Sequence, residues 1–261
     1  MTTQPEYKPV AQGADKQMTT GKLLKMLEPE IGRALPKGMD PDRICRLVMT
    51  EVRKNPMLTQ CTQESFAGAL LTASALGLEP GVNGEAWLVP YRDRKRGIVE
   101  CQFIMGYNGV AKLFWQSPHA DRLDAQLVCA NDHFRYVKGL SPILEHVESD
   151  GDRGDPIAYY AIVGVKGAQP MWDVFKPEAI AQLRGGRVGT KGDIDDPQRW
   201  MERKTALKQV LKLAPKSTRL DLAIRADERS GSDLYKSQGM EVHAIEPGFI
   251  ETEAEPETQE Q

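Results

Sequence analysis

Hydrophobic and polar residues alternate along the first part of the chain with the period of helices. From Thr20, leucine and isoleucine recur every three or four positions, which predicts one buried helix face, and Pro36 ends that helix. A second helix follows directly, because Asp40 is placed to cap its amino end. A third helix is expected between the cap Thr62 and the terminator Gly77. Its inward face is expected to hold Phe66, Leu70, Leu71 and Ala75.

The hydrophobic period changes to two after the third helix, which is typical of strands. Strands are predicted over residues 86–91, 98–105, 123–130, 133–137, 157–165 and 171–175. Further helices are predicted over residues 107–115, 177–183 and 196–214. This order of elements predicts an α+β fold with an antiparallel sheet flanked by helices.

Composition narrows the class of protein. The chain has 261 residues, of which 40% are hydrophobic and 27% are charged, as in soluble globular proteins. No stretch approaches the roughly 20 apolar residues that a membrane helix needs, so no membrane partner is expected. The start lacks the basic and apolar regions of a signal peptide, which indicates a cytoplasmic protein. The four cysteines lack zinc-ligand spacing and are expected to be buried free thiols.

Charge is unevenly distributed along the chain. Residues 241–261 contain seven Glu and no Lys or Arg, whereas the residues before them carry 34 basic and 30 acidic side chains. Together with the polar, aperiodic start, this predicts a disordered arm over residues 1–18, a core domain over 19–235 and an acidic, disordered tail over 236–261. The tail suits either solubility or the docking of a partner.

The motifs of catalysis are incomplete. The stretch Gly186–Gly192 resembles a phosphate-binding loop, but Thr190 replaces the required glycine, so no ATP site is expected. Aspartates at 150–155 and 193–196 suit loop solvation or helix capping better than a metal site. The histidines are scattered and pair with no Ser or Cys motif. The sequence therefore predicts no catalytic residue, no metal and no cofactor, and a protein that is not an enzyme.

Basic residues concentrate in one predicted helix. Residues 199–219 hold seven Lys or Arg side chains and a single acid. Lys204, Lys208 and Lys212 share one helix face, beside an apolar face. Such a row spans about 12 Å, enough to follow about two phosphates of an extended strand, which favours DNA-backbone binding over a solubilising role. A second basic segment, Arg92–Gly97, is expected at a strand turn, either as a solvated tip or as a phosphate-contacting finger.

Three motifs carry a resemblance to a known family: ALGLEPG at 75–81, running on through GEAWLVPY at 84–91; FIMGYNGVAKL at 103–113; and WMERKTALKQVLKLAP at 200–215. Over about residues 20–220 the chain resembles the RecT and Red-beta family of phage and prophage single-strand annealing proteins. The resemblance implies a recombination protein that coats single-stranded DNA without ATP, assembles into rings or helical filaments, and pairs complementary strands. It also implies a long basic groove between a helical lobe and a sheet lobe.

The resemblance also assigns residues and partners. The phosphate ligands that it implies are Arg199, Arg203, Lys204, Lys208, Lys212 and Lys216. It places Tyr107, Asn108 and Lys112 beside the groove. Candidates for base stacking are Trp87, Tyr91 and Trp200, although such aromatics more often pack in the core. The implied partners are single-stranded DNA, the annealed duplex, further copies of the chain, a phage exonuclease and the single-strand-binding protein of a bacterial host.

Two alternative functions stay open at this point. The first is a passive single-strand coat, a replication accessory that protects DNA without promoting pairing. The second is a metal-dependent nuclease that uses the aspartate clusters.

Overall fold

The structure of the protein, a computed structural model, describes residues 18–185, 196, 198–227, 229, 231–237 and 250–251. Its described part contains eight α-helices and one 3₁₀ helix, at Pro56–Gln60. The α-helices are α1 (Thr20–Ala34), α2 (Pro41–Lys54), α3 (Gln63–Leu76), α4 (Tyr107–Trp115), α5 (Pro177–Arg184), α6 (Trp200–Leu213), α7 (Thr218–Ala226) and α8 (Gly231–Ser237). The strands are β1 (Met18–Thr19), β2 (Ala86–Asp93), β3 (Ile98–Met105), β4 (Ala120–Cys129), β5 (His133–Val137), β6 (Ile143–Val147), β7 (Pro156–Val165), β8 (Met171–Phe175) and β9 (Ile250–Glu251).

Nearly all of the strands pair in the antiparallel direction. Strands β2 and β3 form one hairpin, β5 and β6 form another, and β4, β7 and β8 form a sheet with β7 in the middle. The two-residue pair β1–β9 is parallel. The predicted α+β class and antiparallel pairing are confirmed, but the single predicted sheet is divided into the two hairpins and the three-stranded sheet.

Helix α3 lies at the centre of the main core. Twelve of its 14 residues are buried, and it packs against α1, β3, α7 and α8. Its predicted end signals are confirmed, since Thr62 Oγ1 accepts the N–H of Ser65 and Gly77 has a φ of 67°. The prediction that Ala75 faces inward is wrong, because this side chain is exposed. A helix that is enclosed on almost every side has no single inward face for periodicity to locate.

Helices α8 and α3 approach each other closely through glycine. A Cβ atom on Gly68 would lie 2.0 Å from the carbonyl oxygen of Gly231. A Cβ atom on Gly231 would lie 2.2 Å from the carbonyl oxygen of Cys101 in β3. Ser232 also donates a hydrogen bond of 2.8 Å to Glu100 in β3. Helix α8 therefore belongs to the core and packs directly on β3.

Strand β7 is buried on both faces. Its residues Tyr159, Ala161 and Val163 belong to the main core, on the side where α6 packs. Its alternate residues belong to a second, smaller core, which is completed by the β5–β6 hairpin and β8. The side chains of this second core are Val128, Phe134, Leu144, Ala158, Tyr160, Ile162, Trp172 and Val174. The three-stranded sheet thus has α6 on one face and the hairpin on the other.

A buried carboxylate holds the β5–β6 hairpin against the sheet. Asp132 accepts hydrogen bonds from the Arg153 guanidinium at 2.7 Å and from the backbone N–H groups of Cys129 and Ser149. The His146 ring lies 3.1 Å from the same carboxylate. The neighbouring Arg153 guanidinium holds the pKa of Asp132 well below its usual range, so the carboxylate stays charged at neutral pH.

Several elements were not predicted from the sequence. Helices α7 and α8 are only nine and seven residues long, and β6 has five residues. Strand β4 begins at Ala120, three residues before its predicted start. Such short elements carry little periodic signal, and their packing against α3, α4 and β5 stabilises them.

Three of the four cysteines are buried free thiols, as predicted, and Cys45 is a free thiol that is only partly buried. Within the described ranges, no helix combines the length and the apolar character needed to cross a bilayer. The predicted arm lies outside the described residues apart from Met18, and the predicted tail apart from Lys236–Ser237 and Ile250–Glu251.

We expect Gly68→Ala to lower the free energy of unfolding by about 1–3 kcal/mol, because the added methyl group overlaps the Gly231 carbonyl. Denaturant unfolding followed by circular dichroism measures this change. Gly151→Ala is the control, since a Cβ atom there meets no atom within 4 Å. Equal stability of the two variants would contradict the close packing of α3 and α8.

Candidate nucleic-acid interface

Three aromatic side chains from separate elements line one open groove, which we call the aromatic groove. Trp87 comes from β2, Tyr107 from the start of α4 and Trp200 from the start of α6. The groove has a volume of about 610 Å³. The Tyr107 and Trp200 ring centroids lie 4.8 Å apart. Trp87 and Trp200 are 44% and 41% exposed, so the alternative that they pack in the core is wrong for both.

Local sequence explains how Trp87 and Tyr107 reach the groove. Alternation along β2 buries Ala86 and Leu88 and turns Trp87 outward. Gly106 stands just before α4, where an added Cβ atom would lie 1.8 Å from the carbonyl oxygen of Gly84. Glycine at this position therefore lets the first two sequence motifs cross in close contact, which brings the start of α4 beside β2.

Polar contacts hold the second motif in place. Asn108 lines the groove and donates a hydrogen bond of 2.6 Å from Nδ2 to the carbonyl oxygen of Asn83. Lys112 pairs with Glu85 at 2.7 Å, and its side chain is 33% exposed. Asn108 thus contributes directly to the groove wall. Lys112 lies one helical turn further on, and Glu85 offsets its charge.

The Arg203 guanidinium stacks on two of the aromatic rings of the aromatic groove. Its guanidinium carbon lies 4.2 Å from the Trp200 ring centroid and 5.9 Å from that of Tyr107. Its Nε donates to the carbonyl oxygen of Ala125 in β4 at 2.6 Å. This arrangement is a cation–π interaction that fixes the orientation of Trp200. Burial raises the pKa of Tyr107, and the nearby Arg203 charge opposes that rise, so the Tyr107 hydroxyl stays protonated at neutral pH.

Two of the three lysines in the row on α6 are buried, although the sequence predicts that all three face solvent. Lys204 and Lys208 are only 5% and 3% exposed. Lys208 Nζ lies 2.6 Å from a carboxylate oxygen of Asp227, and Lys204 Nζ lies 3.6 Å from the same oxygen. Lys204 also donates a hydrogen bond of 2.7 Å to the carbonyl oxygen of Met105. The expectation of an exposed cationic face is wrong at these two positions.

The physical reason lies in the packing of α6. Spacing at every fourth residue places lysines on one face, but it does not say what that face meets. Here the face meets the end of β3 and the turn after α7, where Asp227 also accepts the Met105 N–H at 2.7 Å. A direct phosphate contact from either buried ammonium would require this cluster to open. A role for Lys204 and Lys208 in DNA binding stays a prediction.

The remaining predicted cations of this region lie nearer the surface. Arg199 and Lys212 are exposed. Lys216 is partly buried, and its Nζ lies 3.4 Å from Asp221. These three side chains lie along α6 and just beyond its two ends. Their assignment to phosphate stays a prediction.

The β2–β3 hairpin carries a second basic surface, which we call the basic tip. Its cations are Arg92, Arg94, Lys95 and Arg96, all exposed. Asp93 accepts the N–H groups of Lys95 and Arg96 and so shapes the turn. Tyr91 is 42% exposed and lies on the same strand face as Trp87. One face of β2 therefore leads from the aromatic groove to the basic tip.

Two of the described aspartates from the candidate metal clusters have structural partners. Asp196 accepts the N–H groups of Trp200 and Met201 at 2.9 Å each, so its carboxylate caps α6 as expected, although the helix begins at Trp200 and not at residue 196 as predicted. Asp152 accepts the N–H of Gly154 within its own loop. The described residues contain no group of three or more His, Cys, Asp or Glu side chains suited to a metal ion. Asp193 and Asp195 lie outside them, as does the loop Gly186–Gly192.

Sequence reasoning missed two residues that shape this region. Asp227 closes the lysine cluster, and Arg184 of α5 pairs with Glu202 of α6 at 2.5 Å. Neither stands in a motif, and each contact joins residues at least 18 positions apart. No local signal in the sequence could have identified them.

Comparisons with known proteins identify the family of the chain. A family model described as the RecT family matches residues 42–239 of the chain. The chain is also 30% identical over 207 residues to "Protein RecT" of Escherichia coli (strain K12), a match that covers 78% of this chain and 77% of that protein. These findings confirm the resemblance noted in the sequence, and they support the function it implies, a recombination protein that binds and anneals single-stranded DNA.

We expect Asp227→Ala to lower the free energy of unfolding by about 3–5 kcal/mol, because it removes the carboxylate between two buried ammonium groups. Lys25→Met, at an exposed position of α1, is the control and should change stability by less than about 0.5 kcal/mol. Denaturant unfolding measures both. A negligible change in the Asp227 variant would show that the buried cluster does not stabilise the fold.

Proposed function

The chain belongs to the RecT family, and we propose that it anneals complementary DNA strands without hydrolysing a nucleotide, holding one strand by base stacking in the aromatic groove. The observation that carries this proposal is the exposure of Trp87 and Trp200 beside Tyr107, with Arg203 stacked on the Trp200 ring. Large aromatic side chains at a surface groove favour the flat faces of bases, and this contact tolerates any base sequence. Stacking also leaves the hydrogen-bonding edges of the bases available to a second strand.

The positions of aromatic and basic side chains on the β2–β3 hairpin support a path for the DNA strand. Trp87 and Tyr91 are four residues apart on β2, which corresponds to about 14 Å, or about two nucleotides of an extended strand. The basic tip lies immediately beyond Tyr91. We propose that bases stack near Trp87 and Tyr91 while phosphates follow the basic tip, with Arg199, Lys212 and Lys216 as further phosphate contacts. Four such contacts per subunit predict a slope of log affinity against log salt of about −3.

Annealing requires that two polyanions approach each other. Neutralisation of phosphates by the bound cations reduces their repulsion, and base pairing then supplies the sequence specificity. We propose that copies of the chain associate into rings or helical filaments, so that successive aromatic grooves form one continuous groove between a helical lobe and a sheet lobe. The annealed duplex is then a second ligand of the same assembly.

Further partners are part of this proposal. The acidic residues 236–261, of which the structure describes only a few, are proposed to dock a phage exonuclease or the single-strand-binding protein of a bacterial host, in its cytoplasm. Abundant glutamate and the hydrophobic island Gly248–Ile250 suit docking to a basic partner with an apolar pocket.

We expect Trp87→Ala and Trp200→Ala each to weaken binding of an oligothymidylate by about 1–3 kcal/mol, which is roughly 5- to 150-fold, because each removes a stacking surface. Fluorescence anisotropy measures the affinity. Trp115→Ala is the matched control, because Trp115 is 52% exposed but lies at the other end of α4. Wild-type affinity in both groove variants would exclude the aromatic groove from the DNA site.

We expect the protein to accelerate annealing of complementary oligonucleotides with no nucleotide present, because charge neutralisation needs no hydrolysis. Quenching of a donor–acceptor dye pair on the two strands measures the rate. Inhibition of annealing would favour the passive coat. Cleavage of the DNA in magnesium, abolished by Asp193→Ala or Asp195→Ala, would favour a nuclease.

A further inference from the structure

A second cavity lies across the first turn of α6 from the aromatic groove. It has a volume of about 450 Å³ and is bounded by β7, α5 and the start of α6. Tyr159, Arg184, Arg199 and Glu202 supply its polar side chains. Arg199 is followed directly by Trp200, which lines the aromatic groove. The two concave sites therefore meet at the same helix start.

Arg184, which lines this cavity, carries a buried nitrogen without a hydrogen-bond partner. Its side chain is only 8% exposed, and its Nη1 donates to Glu202 at 2.5 Å. Its Nη2 is buried, and within the part of the chain that the structure describes it has no hydrogen-bond partner. Leaving a buried charged donor without an acceptor costs free energy, and a ligand in the cavity that accepts a hydrogen bond from Arg184 would remove that cost.

The charge of the cavity selects an anion. Two arginines, Arg184 and Arg199, face one carboxylate, that of Glu202, among the lining residues. Arg199 is exposed and adopts a left-handed φ of 53°, in a turn where its N–H bonds to the Asp196 carbonyl. Tyr159 adds a hydroxyl whose pKa is raised by burial, so this group stays protonated at neutral pH. The cavity thus offers positive charge and hydrogen-bond donors together.

We propose that this Arg184–Arg199 cavity binds one backbone phosphate of the DNA strand whose base stacks on Trp200. The inference rests on the proposed function and adds Arg184 as a binding residue. A guanidinium donates to phosphate through its planar fork, which suits a buried and oriented site. The position of the cavity favours the DNA strand over the chain's own acidic tail, because a strand leaving the aromatic groove around the start of α6 reaches Arg199 next.

The test replaces the buried pair together, as Arg184→Met with Glu202→Met. This double variant keeps the net charge of the protein and replaces a buried ion pair by apolar side chains, a change that folds commonly tolerate. The matched control replaces an exposed pair of α2 in the same way, as Arg46→Met with Asp42→Met, where the two charges lie 2.9 Å apart. Thermal unfolding establishes that each variant is folded.

We expect the Arg184 variant to bind oligothymidylate about tenfold more weakly, with the salt slope reduced by about 0.7, as for one lost phosphate contact. The control should keep both the affinity and the slope. An unchanged affinity and slope in a folded Arg184 variant overturns the inference. Tighter binding also overturns it, since the cavity would then hold a competing segment such as the acidic tail.

Two further measurements test the cavity if the double variant does not fold, and separate failure of this inference from failure of the proposed function. If the double variant does not fold, Arg199→Gln tests the same cavity from its exposed side, and an unchanged salt slope overturns the inference. Failure of the proposed function looks different, because the wild-type protein would then not bind or anneal oligonucleotides. Loss of stacking in Trp200→Ala lowers the affinity without changing the salt slope, so the two sites are distinguished.

Discussion

The carboxylate of Asp227 joins the two walls of the aromatic groove. It accepts the Met105 N–H at the end of β3 and pairs with Lys208 of α6. Met105 leads through Gly106 into α4, which carries Tyr107, and α6 carries Trp200. A buried carboxylate is stable only when its partners satisfy it, so the lysines and the amide constrain one another. The relative position of α4 and α6, and hence of the two aromatic rings, depends on this cluster.

The side chains of α6 are distributed differently from those of an ordinary surface helix. Two of its lysines are buried and paired, while a tryptophan at its start is exposed. Lysine is almost never fully buried unless it is paired, and large aromatics usually lie inside. The helix therefore uses its cations to fix its position in the fold and presents an aromatic surface beside the groove. Under the proposed function, stacking acts in the groove, and charge acts at the basic tip and at the start of α6.

The first turn of α6 organises both concave sites. Asp196 caps the helix, Arg199 turns the backbone into the left-handed region, and Trp200 and Arg203 stack on the groove side. Arg203 is anchored to β4 through the Ala125 carbonyl, so the turn is also tied to the three-stranded sheet. Small changes in this turn would move the aromatic groove and the Arg184–Arg199 cavity together.

Local signals in the sequence were enough to predict most helices and strands and the family. The caps Thr62 and Asp196, the terminator Gly77 and the alternation along β2 are local signals, because each depends on residues within one helical turn or one strand. The three motifs were sufficient for the resemblance that the comparisons confirm. Short elements such as α7 and β6 were not predicted, since tertiary packing rather than periodicity stabilises them.

Which side of α6 meets the interior depends on tertiary packing. A helical spacing gives the angles between Lys204, Lys208 and Trp200, but not the direction of the neighbouring elements. That direction depends on Asp227, which lies 19 residues beyond Lys208. It also depends on Met105 at the end of β3, which lies 99 residues before Lys204. Pairing over such separations is not encoded in any local pattern, so the buried lysines, the aromatic groove and the unpaired nitrogen of Arg184 became visible only in the folded chain.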